Sequence, residues 1–332
     1  MILTRRALLP VLAAIPFHRT APPEIIPHPK PPKKTRILLG GDVMLSRHVG
    51  RLARAAHDPA SPLRDLAPVL RSADIAFVNL ESPFSDRGGL VEHGMIFKAE
   101  PEMIAALQTA GVAIVSTANN HARDRDRYGV EFTLSWLSQH GIQAVGSAPT
   151  AEAAHAGTVI ERNGLRFGFL AYTFDQSNGN HKDVDDRIAV MDVPTMQSDI
   201  ARLLEHADVV IVSMHAGAEY HARPNPQQIE FARAAIDAGA SVVAGHHPHV
   251  TQPWERRGNG VIFYSLGNLV FDQFQRAETQ RGALAEVVFS GKTLESAALL
   301  PVDIVRTVPR LLTQSAEPGK AAAATVASSA SR

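Results

Sequence analysis

Ala240-Ser241-Val242-Val243-Ala244-Gly245-His246-His247-Pro248-His249-Val250 is the stretch on which the reading of this chain turns. Its apolar, β-branched start reads as a buried strand, and its imidazoles fall just past the strand's C-terminal end, where open α/β sheets place their ligands. Three imidazoles in four positions are costly to keep in a core, and imidazole is the commonest metal ligand. A single histidine would read as a core or surface residue; a triplet after a strand reads as metal ligands. Extended residues two apart point the same way, so His247 and His249 are expected to face one side together.

Working outward, the same pattern repeats. Arg36–Leu39 runs into Gly40-Gly41-Asp42, and Ile75–Val78 ends in Asn79-Leu80-Glu81, whose alternation sends Asn79 and Glu81 to one face. Ala113–Thr117 leads to Asn119-Asn120-His121 and Asp124, ahead of a helix expected over Tyr128–His140. Val209–Met214, the most apolar strand, ends at His215 with Gly217, Glu219 and Tyr220 close behind. Val261–Ser265 precedes Asn268 and Asp272. A turn-forming Asp would explain Gly41-Asp42 taken alone. Repetition at successive strand ends is what a crevice site in an α/β fold requires.

Between these strands, helices are expected over Leu45–His57, Leu63–Arg71, Pro101–Ala110, Met196–His206 and Gln227–Ala238. Asn163-Gly164 predicts a hairpin between Gly157–Glu161 and Arg166–Tyr172. Ala283–Phe289 and Leu294–Val302 read as a closing hairpin. Its turn, Ser290-Gly291-Lys292-Thr293, is not a phosphate loop, because Glu286 stands where the upstream glycine belongs. Ser82–Lys98 and Thr173–Arg187 read as loops, with His181 a solvated loop histidine. Arg123, Arg125 and Arg127 read as a solvated helix edge, with an anion-holding role as the other option.

The 332 residues are 45% apolar, which suits an ordinary enzyme-sized core. The 33 basic residues balance 33 acidic ones, so bulk charge gives no reason to expect a nucleic-acid partner. Cysteine is absent, which removes disulfides, thiolate nucleophiles and sulfur ligands and leaves His, Asp, Glu and Asn for any metal. At the start, Thr4-Arg5-Arg6-Ala7-Leu8-Leu9 resembles a twin-arginine export signal over residues 1–21, with an uncleaved anchor or a cytoplasmic protein as alternatives. Residues 22–34 form a Pro-rich spacer. The folded domain is expected over 35–305, followed by a disordered tail over 306–332.

The ordered series Gly41-Asp42, Asn79-Leu80-Glu81, Asn119-Asn120-His121 with Asp124, His215 with Gly217, Glu219 and Tyr220, Gly245–Val250 and Tyr264–Asn268 resembles the CapA family of capsule and poly-γ-glutamate biosynthesis proteins. That family is similar in fold to the calcineurin-like metallophosphatases. The resemblance implies an α/β sandwich of two mixed β-sheets flanked by helices. It implies one or two divalent ions, with Mn, Fe or Zn suited to the donors. Asp42 and Glu81 would be carboxylate ligands, Asn120, His215 and His247 a second site, and His249 would turn to the first. His121, oriented by Asp124, would be the acid, and Asn79, Asn119, Glu219, Tyr220 and Asn268 would meet substrate. Met44 stands where the phosphatase pattern has a histidine, and Ala216 where the family has a tryptophan. The function implied is an exported, periplasmic or envelope-associated, metal-dependent phosphoester hydrolase acting on an anionic envelope substrate. The alternative is a non-catalytic part of a capsule synthesis and export complex.

Overall fold

The computed structural model describes residues 33–312. The expected export signal, nearly all of the expected spacer and the tail beyond 312 lie outside the described residues. The strands are Lys34–Val43 (β1), Ile75–Leu80 (β2), Ile114–Ser116 (β3), Gln143–Val145 (β4), Thr158–Arg162 (β5), Leu165–Thr173 (β6) and Val209–His215 (β7). They continue with Val242–His246 (β8), Trp254–Arg257 (β9), Gly260–Phe263 (β10), Asn268–Val270 (β11), Arg281–Ser290 (β12), Thr293–Val305 (β13) and Val308–Leu311 (β14).

These strands make two mixed sheets. One runs β14-β13-β12-β1-β2-β3-β4, with β11 beside β1; the other runs β5-β6-β7-β8-β10-β9. Their parallel centres, β1-β2-β3-β4 and β6-β7-β8-β10, are the apolar runs that the sequence marked as strands buried on both faces. Ile37, Leu39 and Phe77 of one sheet meet Phe169, Ile211 and Val242 of the other in the central core. A second core lies under the helices Arg47–Ala55 and Ile104–Ala110, and a third under Val193–Leu204 and Pro226–Asp237. The two-sheet, helix-flanked sandwich is therefore the observed fold.

Differences from the sequence reading have local causes. The helix expected over Leu63–Arg71 is two short ones, Ser61–Arg64 and Ala67–Leu70. Pro68 inside the expected span lacks an amide N–H and crowds the carbonyl four residues back, so the chain restarts there. The folded domain also passes residue 305. Arg306 and Thr307 both take positive φ (49° and 72°) and reverse the chain into β14, which pairs with β13. A hairpin turn of that kind without Asn or Gly leaves little trace in sequence. The Asn163-Gly164 hairpin forms as expected, with both residues at positive φ.

The helix Pro226–Asp237 begins with a complete capping box: Asn225 accepts from the Gln228 amide at 2.8 Å, and Gln228 Oε1 accepts from the Asn225 amide at 3.0 Å. Asn225→Ala is expected to cost about 1 kcal/mol, read as a lower urea midpoint with an unchanged slope.

Candidate metal centre

Five strand ends converge on one buried point. β1 delivers Asp42, β2 delivers Asn79 and Glu81, the turn after β3 carries Asn120 and His121, β7 ends on His215, and the loop after β8 carries His247 and His249. None of these side chains belongs to a residue more than 5% exposed. Asn79 and Glu81 reach the same face by the alternation expected of β2. His247 and His249 do not share their direction through extended backbone. Their φ values are 94° and 58°, so the chain turns around Pro248, and the expected cause is corrected while the shared destination stands. Left-handed backbone at two non-glycine residues costs of order 1–3 kcal/mol each and persists because surrounding contacts fix it.

Two sets of three donor atoms lie within 4.8 Å of one another among the described residues: Glu81 with His247 and His249, and Asp42 with Glu81 and His215. Asp42 Oδ1 accepts from Asn79 Nδ2 at 2.9 Å, and Oδ2 accepts from the His247 amide at 3.2 Å. His215 Nε2 lies 2.8 Å from Asn120 Oδ1 and 3.8 Å from Glu81 Oε1, and His249 Nε2 is also 3.8 Å from Glu81 Oε1.

Glu81 decides what the cluster is suited to hold. Neither of its carboxylate oxygens has a hydrogen-bond partner, and the residue is 0% exposed. Burial, and then the charges of Asp42, Glu219 and Asp124, push its carboxyl well above the usual range. A buried carboxylate left in that state is expensive, and a cation between it and the imidazoles removes the cost. Burial pushes the Asp42 carboxyl up too, but the imidazoles of His246 and His249, each with Nδ1 3.4 Å from one of its oxygens, outweigh this and hold it well below its ordinary value. Burial and the neighbouring His247 hold His215 well below its usual value. Burial and His249 bring His247 down to about 3. Both imidazoles are thus neutral, the form that binds metal. The oxygen and nitrogen donors fit a hard or borderline divalent ion. Met44 contributes nothing to the set, because its sulfur accepts the Ser46 amide at 3.1 Å.

His121 Nδ1 is 2.6 Å from Asp124 Oδ2, as expected, and its ring stacks on Phe97 with centroids 3.8 Å apart. The Phe97 amide donates to the same carboxylate oxygen at 2.5 Å, so ring and acid are fixed together.

The expected substrate contacts divide in two. Asn119 donates to the Leu80 carbonyl at 2.8 Å and accepts from the His121 amide at 3.1 Å. Asn268 Oδ1 lies 2.9 Å from His249 Nδ1. Those amides, like that of Asn79, are taken up by the protein's own groups and orient the cluster. Glu219 is half-buried and Tyr220 exposed, so these two face the solvent side of the centre. Arg123 is not solvated: it is only 2% exposed, and its carbonyl takes Nε2 of the half-buried His181 at 2.8 Å. His246 belongs to the triplet read as metal ligands but is absent from the ligand set that the family resemblance implies. It is wholly buried, its Nδ1 is 3.4 Å from Asp42 Oδ1, and neither ring nitrogen has a hydrogen-bond partner. Its pairing with Asp42 depends on register across the two sheets, which no local pattern carries.

The chain is thus a helix-flanked double-sheet protein with a buried carboxylate and imidazole cluster at its strand ends. The family model described as bacterial capsule synthesis protein PGA_cap matches residues 36–273, and the chain belongs to that family. It is 29% identical to the PGA biosynthesis protein CapA of Bacillus subtilis (strain 168), over 81% of this chain and 71% of that one. It is 28% identical to the capsule biosynthesis protein CapA of Bacillus anthracis, over 91% of this chain and 75% of that one. Among solved structures, a hypothetical protein from Thermus thermophilus shares the fold, with TM-score 0.53 and 20% identity over 81% of this chain and 99% of that one.

Proposed function

We propose that this protein acts in the synthesis of a capsule or poly-γ-glutamate polymer, as an exported, metal-dependent phosphoester hydrolase working on an anionic envelope substrate. The observation that carries the hydrolase part is the unpartnered, wholly buried Glu81 carboxylate facing neutral imidazoles. Family membership supports the biosynthetic setting. Asp42, Glu81, His215, His247 and His249 would hold the ion, with Asn120 beside them. A bound divalent ion would supply Lewis acidity toward a phosphoryl oxygen. His121, with Nδ1 committed to Asp124, would present Nε2 to protonate a leaving group, a step typically worth about 10²–10⁴ in rate.

Met44 favours a second reading, a non-catalytic member of the synthesis and export assembly. Its sulfur is tied to Ser46, which leaves the Asp42 side one imidazole short of the phosphatase pattern. Hydrolysis of chromogenic phosphate mono- and diesters with added Mn²⁺ separates the two. Turnover is expected in the native protein and its loss in both Asp42→Ala and His247→Ala. Stoichiometric metal without turnover would leave the assembly role.

A further inference from the structure

The candidate ligands are almost sealed from solvent, so something covering them has to move before an ion or a substrate arrives. Segment 174–187 lies against them. Its Phe174 ring lies 4.6 Å from the His247 ring, and Asn178 Oδ1 accepts from Asn120 Nδ2 at 3.4 Å. One buried cation fastens it. Arg123 donates to the Asp183 carbonyl at 2.5 Å, to Asp183 Oδ1 at 3.0 Å and to Gln176 Oε1 at 3.4 Å. Gln176 Oε1 also accepts from the Asp185 amide at 2.6 Å, and His181 closes the circle onto the Arg123 carbonyl.

We propose that Arg123 is a positioning residue that latches segment 174–187 as a lid over the centre and so governs entry of ion and substrate. The lid's two ends are fixed. Thr173 exchanges backbone bonds with Ala189 and Met191, and Arg187 is tied to Asp185 and Glu131. Between the points that Arg123 holds, Asn178 and Gly179 form a left-handed turn with open space around Gly179. Arg123 sits between His121 and Asp124 in the chain, so the latch is anchored on the same turn as the proton donor.

Amide hydrogen exchange tests the latch itself. In Arg123→Met, exchange over 174–187 is expected to rise about tenfold or more, the scale of losing one hydrogen bond to a charged group, while β7 and the helix Asp126–Gln139 stay protected. If Arg123→Met fails to fold, the pair Gln176→Ala and Asp183→Ala loosens the latch from the lid side and should give the same localised rise. Unchanged exchange, or a rise spread equally through β6 and β7, overturns the proposal. The second arm rests on the metal reading: chelator extraction of Mn²⁺, and its uptake, should both speed up with the equilibrium affinity unchanged. Affinity lost in step with release would make Arg123 part of the site's scaffold and overturn the latch. A native protein that takes up no Mn²⁺ would sink the metal reading alone, because amide exchange still decides the lid.

Discussion

Gly245→Ala is expected to leave no soluble folded protein. A Cβ at this position would stand 2.0 Å from the Tyr264 carbonyl oxygen, 2.5 Å from the Tyr264 carbonyl carbon and 2.9 Å from the Phe263 oxygen. All three are backbone atoms, held where β8 and β10 run in register and where the Leu266 amide donates to Gly245. No rotamer change relieves such a contact; the neighbouring strand would have to leave the sheet. Ordinary overpacking costs about 1–3 kcal/mol, and this contact is far closer, so the loss should rival the roughly 5–15 kcal/mol that holds a domain folded. Gly164→Ala is the control. Gly164 has positive φ (81°), unlike Gly245, but nothing lies within 4 Å of a Cβ there, and the expected cost is only about 1–2 kcal/mol. Soluble yield and urea midpoints measure both. Comparable losses in the two variants would mean that β8 and β10 do not approach as described.

Glu81→Gln is expected to abolish metal binding while leaving the metal-free protein at least as stable. The amide keeps the shape and removes the charge. Changing a group that only supports a metal ligand costs about 10–100-fold in affinity, so loss of a ligand should cost on the order of a hundredfold or more. In the metal-free protein the native Glu81 has no partner for either oxygen, so neutralising it relieves a penalty. The pH dependence follows from the raised carboxyl. The folded protein holds this proton more tightly than the unfolded chain does, so the Glu81 contribution to stability falls as pH rises from the ordinary carboxylate range through the raised value. Metal competes with the same proton, so affinity rises with pH over that interval. Titration calorimetry and urea unfolding across pH should show both trends, and Glu81→Gln should flatten the stability trend.

Much of this was legible in the chain because burial writes itself into composition. Val209–Met214 and Ile75–Val78 carry no polar residue that could face water except Ser213, and strands covered on both faces have to look that way. The ends of those strands were equally plain: Asp42, Glu81, Asn120 and His215 interrupt apolar runs, and all reach the centre. The weak points were set by contacts distant in sequence. β11 is three residues long and exists because β1 leaves β12 near Gly40 and takes a new neighbour at Asp42. The short edge strand β9, with half-exposed or exposed residues throughout, has no apolar period to read. Within the histidine triplet, composition marked a ligand site, but which imidazole faces Asp42 and which faces Glu81 depends on the turn at Pro248. Arg123 looked like one of three similar arginines; only the folded path of 174–187 distinguishes it.

Elemental analysis of tag-free protein, paired with anomalous diffraction at the absorption edge of the metal found, addresses the buried centre directly. One or two divalent ions per chain are expected, with density within bonding reach of Glu81 and His247 or His249, and lost in Glu81→Gln. Protein that folds, is offered Mn²⁺, Fe²⁺ and Zn²⁺, and still carries no ion beside Glu81 would contradict the account.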